Sequence, residues 1–378
     1  MVLRLFTYLV SAVALVTFVL FAWDVWQGAF DGSSPADFPN YYFAGRRLFE
    51  TRPVYGDLAF EVKNTLGWEY NVYPADTPLT VLLLSPLSQL PYQVAWSLLA
   101  LFSVAAMAGV AYWTGIELGH PRHVAWLCAA LSLMSAPFLF LLKRNHMESL
   151  VLVAGAAGWL LLRRGRASAG MLLWGMAAAL KLFPALWILL AWHRGVRRPV
   201  MIGMLAAAFF SLIGMVGVGF SDTIFFITQV VPRAAQWFDA IGNYSLVALG
   251  SVLVGPSLGW LLVLSVGLLS FSPRFWISGG WDEFWLKAVC LSLLLTPLAW
   301  LNYLVLLIPG LMAMGTFLKD TAILRRYFFY ALVMMTCFCP TDITIAQPWL
   351  RVLIIFAPTF GMLAILLWKW SRGFNRTE

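Results

Sequence analysis

Residues Ala169 to Trp192 read AGMLLWGMAAALKLFPALWILLAW. The run is apolar and long enough to cross a bilayer as one helix, for which about 20 residues suffice. Its middle, Lys181-Leu182-Phe183-Pro184, argues otherwise. Proline lacks a backbone N–H and its ring clashes with the preceding turn, so a helix bends or stops there. An ammonium group in hydrocarbon is costly and faces a cavity or a partner. Carbonyls freed at the break are tolerated at membrane depth only when buried in protein or lining a wet cavity. The stretch therefore predicts a bent hairpin at 169–192 inside a membrane domain with a polar interior.

The rest of the chain agrees. Its 378 residues are 61% hydrophobic and only 11% charged, with 28 Phe and 19 Trp, and the mean hydropathy is +0.82. Soluble chains carry about 25% charged residues, so too little polar surface remains to cover a water-soluble body. A soluble enzyme, a nucleic-acid binder and a disordered scaffold are excluded. Apolar runs at 5–23, 92–115, 124–142, 146–162, 199–220, 245–270, 284–300, 302–318, 327–340 and 349–370 read as spans. The expected fold is all-α, a polytopic transmembrane bundle of about ten spans, with a short interfacial helix near 78–90 interrupted by Pro86. Residues 1–378 form one integral membrane domain. The first run lacks a small-x-small cleavage site and reads as an anchor rather than a signal peptide.

Charge sets the orientation. With the N-terminus cytoplasmic, that side receives 15 of the 25 basic residues and five acids, including the cluster Arg163-Arg164-Arg166 and Arg194, Arg197 and Arg198. The outer side holds 12 of the 17 acids. This obeys the positive-inside rule only if 163–166 and 194–198 share a face, which again bends 169–192. Both termini are then cytoplasmic and the first outer (periplasmic) loop is 24–77. The net charge of +8 is a matter of topology rather than of nucleic acid. Cys128, Cys290, Cys337 and Cys339 lie in apolar runs with no ligand at zinc spacing, so neither disulfide nor metal is expected.

Five segments could carry chemistry. Asp37 opens a helix after the turn at 31–35; it is either an N-cap or a general base for a hydroxyl nucleophile, with Asp24, Asp31 and Asp57 as rivals. Lys143-Arg144-Asn145-His146-Met147-Glu148 joins two spans. Either Arg144 pairs with Glu148 at i,i+4 spacing, or Arg144 and His146 clamp a phosphate. Lys181 either snorkels or faces a ligand. Asn243-Tyr244-Ser245-Leu246 and Pro297-Leu298-Ala299-Trp300-Leu301-Asn302-Tyr303 lie at outer span ends, where caps and belt aromatics are common.

In this order the motifs resemble the polytopic GT-C glycosyltransferases, most closely glycosyltransferase family 87, which includes polyprenyl-phosphate-mannose-dependent alpha-mannosyltransferases. The resemblance rests on Asp37, Tyr41 and Ala44 with Pro53-Val54-Tyr55 and Tyr73-Pro74, on Lys181-Leu182-Phe183-Pro184, on Asn243 to Leu246 and on Pro297 to Trp300. Arg144-Asn145 stands where that family usually has Gly-Gln. The resemblance implies an outward-facing site in the cell inner membrane and a polyprenyl-phosphate sugar donor, with mannose foremost. It also implies a lipid or glycan acceptor and an inverting reaction with Asp37 as base, without metal or cofactor. Arg144, His146 and Lys181 would bind the donor phosphate. Tyr41, Tyr73, Asn145, Asn243, Trp300 and Asn302 would bind substrate. A transporter or flippase of lipid-linked saccharides, or an inactive scaffold, are the competing readings; the absence of an internal repeat disfavours the transporter.

Overall fold

The computed structural model describes residues 2–30, 37–68, 74–238, 240, 242–273, 276, 280–316, 333, 336–337 and 355–367. The expected turn at 31–35, Tyr73, Cys339, most of the span at 327–340 and part of the one at 349–370 lie outside the described residues. Among those described the chain is helical, with no β-strand. In order the elements are α1 (Val2–Gly28), α2 (Phe38–Phe49), α3 (Ala59–Leu66), α4 (Pro78–Leu84), α5 (Tyr92–Glu117), α6 (Arg122–Leu133) and α7 (Ala136–Arg144). There follow α8 (Glu148–Arg163), α9 (Ala167–Leu180), α10 (Ala185–Ala191), α11 (Arg197–Val218) and α12 (Phe220–Phe225). Then come the single turn α13 (Val231–Arg233), α14 (Leu246–Leu253), α15 (Pro256–Ser270), α16 (Trp281–Leu295), α17 (Ile308–Thr316) and α18 (Ala357–Leu367).

Among the described residues three helices, Arg4–Gly28, Tyr92–Glu117 and Arg197–Val218, are long and apolar enough to cross a membrane; α6 with α7 makes a fourth if that pair, bent by 55°, is one span. Several apolar runs expected as single spans are broken. The run at 124–142 bends at Met134 and Ser135, just before Pro137. The run at 245–270 stops at Val254 and Gly255 and folds back, so that Gly250 lies against Gly259: a Cβ on Gly250 would stand 2.3 Å from the Gly259 nitrogen. Two glycines permit this approach and Gly255, at φ +144, makes the turn. The run at 302–318 begins as a 3-10 turn over Leu301–Leu307. Hydropathy records burial in an apolar setting but not whether the chain reverses within it.

The hairpin at 169–192 has the expected form. Helix α9 ends at Leu180, Lys181 is extended (φ −141, ψ 139), and α10 starts after Pro184. The carbonyls stranded at the end of α9 are capped by threonines from the start of α4. Thr77 Oγ1 donates to Ala179 O at 2.7 Å and Leu180 O at 3.0 Å, and Thr80 Oγ1 donates to Leu180 O at 2.9 Å. The expected interfacial segment is thus a short helix, α4, docked into the break, followed by a 3-10 turn at Ser85–Gln89.

The core between α8, α9, α10 and α16 is aromatic. Trp159, Trp174, Trp187 and Trp285 are fully buried, with ring centroids 4.9–6.1 Å apart. Three of the four indole N–H groups are bonded: Trp174 Nε1 donates to Gly155 O at 2.9 Å, Trp187 Nε1 to Ser292 Oγ at 2.9 Å and Trp159 Nε1 to Asp282 Oδ1 at 3.1 Å, while that of Trp285 is buried with no partner among the described residues. At one end of this core Arg163 pairs with Asp282 at 2.8 Å, while Arg194 donates to Trp276 O at 3.1 Å and covers the Trp281 ring at 5.1 Å. Arg163 and Arg194 therefore meet the same end of α16, so the hairpin enters and leaves by one end of the bundle. The other end of α8, about 24 Å away at 1.5 Å per residue, begins with Glu148.

Candidate active site

Five pieces of chain converge at the Glu148 end, each placed for a local reason. Helix α2 starts at Phe38 because Pro39 fits the first turn. Asn145 at φ 48 ends α7 in the left-handed region, and its Nδ2 donates to Trp96 O at 2.9 Å, so the chain turns sharply into α8 with His146 at the corner. The α9–α10 break supplies Lys181. The threonine caps of that break draw in the residue before Thr77, Asp76. The 3-10 turn at 301–307 supplies Asn302 and Tyr303.

The side chains form one network. Arg144 grips Asp37 with both arms, Nε to Oδ2 at 2.8 Å and Nη2 to Oδ1 at 2.7 Å, and the Asp37 backbone N–H donates to Arg144 O at 2.9 Å. His146 Nε2 lies 3.9 Å from Asp37 Oδ2, and His146 Nδ1 contacts Glu148 Oε2. Glu148 Oε2 also accepts from Asn302 Nδ2 at 2.9 Å. Glu148 Oε1 faces Lys181 Nζ at 3.4 Å, and Lys181 pairs with Asp76 Oδ1 at 2.9 Å. Lys181 also donates to the Tyr303 hydroxyl at 3.2 Å. The Tyr41 ring meets His146 edge-on at 5.5 Å. Its hydroxyl and Asn145 Oδ1 are buried with no hydrogen-bond partner among the described residues. Burial raises the Tyr41 phenol well above its ordinary pKa, and the carboxylates of Asp76, Glu148 and Asp37 add to the rise. It stays a neutral donor.

Seven expected residues are therefore gathered: Asp37, Tyr41, Arg144, Asn145, His146, Lys181 and Asn302. The cap reading of Asp37 fails, since its carboxylate makes no capping bond and turns to Arg144. The i,i+4 pair of Arg144 with Glu148 is not formed, because Asn145 interrupts the helix between them. Asn243 and Trp300 stand apart from the network. Asn243 Nδ2 donates to Pro297 O at 2.9 Å and its Oδ1 accepts from Ala299 N at 2.9 Å, while Tyr244 N donates to Ala299 O at 2.8 Å. The amide is spent on clamping two backbone segments together. Asp57 caps α3 through Ala59 N at 2.8 Å. Asp76, Glu148 and Tyr303 are participants that the sequence reading did not assign to the site. The signal was Lys181 itself: a buried ammonium needs a carboxylate, and few acids lie near a span end.

Beside Lys181 a cleft of about 270 Å³ opens between α10 and the end of α16, lined mainly by Leu182, Phe183, Leu186, Leu189, Leu295 and Pro297. Phe183 stacks on Tyr303 at 5.6 Å, so the apolar cleft adjoins the charged network.

Residues 72–301 match the model of glycosyltransferase family 87. The chain belongs to glycosyltransferase family 87. No curated protein or solved structure matches it. The family 87 match covers Asp76, Arg144, His146, Glu148 and Lys181, and begins beyond Asp37.

Proposed function

We propose that this glycosyltransferase moves a sugar, mannose in the first instance, from a polyprenyl-phosphate donor to a hydroxyl of a lipid or glycan acceptor on the outer face of the cell membrane. The acceptor oxygen attacks the anomeric carbon from the side opposite the phosphate. The new C–O bond forms as the bond to the phosphate oxygen breaks, inverting the centre. Asp37 accepts the hydroxyl proton and polyprenyl phosphate departs. The observation that carries this reading is the convergence of Asp37 with Arg144, His146 and Lys181 at one end of the bundle. A base must lie within hydrogen-bond reach of the hydroxyl, and fixed positive charge must meet the charge developing on the leaving phosphate.

The apolar cleft beside Lys181 supports a lipid-linked donor, because a phosphate held at the ammonium leaves its prenyl chain against Leu182, Leu186 and Leu189. Such a donor is already activated, so the reaction is written without a metal. We place Arg163 and Arg194 on the cytoplasmic side, which puts the Glu148 end and the 24–77 loop outside, both termini inside, and about ten apolar runs in the bilayer. The purified protein with radiolabelled polyprenyl-phosphate mannose tests the proposal: labelled product that depends on Asp37 is expected, and gradient-driven uptake into vesicles without sugar transfer would replace the enzyme by a transporter.

A further inference from the structure

We propose that Glu148 is a positioning residue that sets the spacing of the two donor-facing nitrogen groups, the His146 imidazole and the Lys181 ammonium; this rests on the glycosyl-transfer reading above. Glu148 is fully buried at the first turn of α8, where the helix dipole favours an anion. Its two oxygens are divided between an imidazole and an ammonium from separate pieces of chain. Oε2 contacts His146, from the α7–α8 corner, and Oε1 faces Lys181 at 3.4 Å, from the α9–α10 break. Asn302 Nδ2, at 2.9 Å from Oε2, fixes the plane of the carboxylate.

Stability alone does not account for this arrangement. A buried ion cluster is costly to desolvate, and well-packed apolar residues of similar volume usually do as well or better. What the cluster provides is geometry. Lys181 sits in extended backbone and His146 follows the left-handed Asn145 at the α7–α8 corner, so neither is fixed relative to the other by a common helix. One carboxylate holding both fixes their separation, and a phosphate bound between them then finds two donors already oriented. The Glu148 carboxylate reaches His146, Lys181 and Asn302 rather than Asp37, so its effect is expected on the donor.

The test is Glu148→Gln, which keeps the shape and removes the charge. Two measurements are made on purified protein: binding of a short-chain prenyl phosphate by tryptophan fluorescence, and steady-state kinetics with donor and acceptor varied separately. The expected result is a loss of prenyl-phosphate affinity and a rise in donor KM of about tenfold or more, the cost of one charge-assisted contact, with the acceptor KM unchanged. Asn302→Leu, which keeps the carboxylate but releases its plane, shifts the donor KM the same way by less. A folded Glu148→Gln variant that binds prenyl phosphate as the wild type does, or that alters only the acceptor KM, overturns the assignment. Should Glu148→Gln not fold, unaltered prenyl-phosphate affinity in Asn302→Leu overturns it instead. A wild type that transfers no sugar, yet binds prenyl phosphate in a Glu148-dependent way, overturns the transfer reading and supports the positioning role.

Discussion

Arg144→Gln separates the two tasks assigned to one guanidinium. In the structure Arg144 is occupied by Asp37, both nitrogens bonded at 2.7 and 2.8 Å. Two unit charges about 4 Å apart attract by about 4 kcal/mol at an effective dielectric of 20. The side chains are 30% and 21% exposed, so solvent screening and the entropy of holding two side chains reduce the net coupling to about 1–2 kcal/mol. A cycle of Asp37→Asn, Arg144→Gln and the double variant, followed by unfolding in mild detergent, should return that coupling. Additivity within about 0.5 kcal/mol, the behaviour of independent sites, would refute the pair. On the proposed function the donor phosphate competes with Asp37 for the same guanidinium, so the variant should also lose a charge-assisted bond worth about 1.5–3 kcal/mol. The donor kcat/KM should therefore fall by about ten- to a hundredfold, at about 1.4 kcal/mol per decade. Arg144→Lys, which keeps the charge but not the fork, should fall between. A folded Arg144→Gln enzyme within about twofold of wild type in donor kcat/KM would remove Arg144 from the phosphate.

Asn243→Ala should lower stability by about 1–3 kcal/mol, the cost of leaving buried backbone groups unpaired, while the donor and acceptor KM hold; a changed KM in a stable variant would return Asn243 to the substrate. In a Cys128→Ser background, Arg166→Cys and Arg198→Cys should react with an impermeant maleimide from one face and Thr65→Cys from the other. Labelling of 166 and 198 from opposite faces would undo the hairpin.

How much of this was legible in sequence differs by element. The break at Lys181–Pro184 could be read directly, because proline and an isolated charge act locally whatever packs around them. Asp37, Arg144 and His146 stood out as polar residues at span ends, and their gathering follows from the bundle. Asp76 did not stand out in its loop, and Glu148 had an ordinary explanation as an i,i+4 partner of Arg144. Their partner Lys181 lies far along the chain, and no local pattern announces it. The same limit applies to Asn243, whose amide bonds run to the backbone at Pro297 and Ala299 rather than to a side chain. The fold-back at Gly255 was hidden for a different reason: an unbroken apolar run looks the same whether it crosses once or turns within the protein.

The central claim is that Asp37 is the base of a glycosyl transfer at the Arg144–His146–Lys181 cluster. Its most direct test is the rate of label transfer from polyprenyl-phosphate mannose by purified Asp37→Asn protein with an unfolding transition close to that of the wild type. The account predicts a loss of at least about a hundredfold, in the range of a removed general base, with prenyl-phosphate binding retained. Transfer at the wild-type rate by that variant would contradict it.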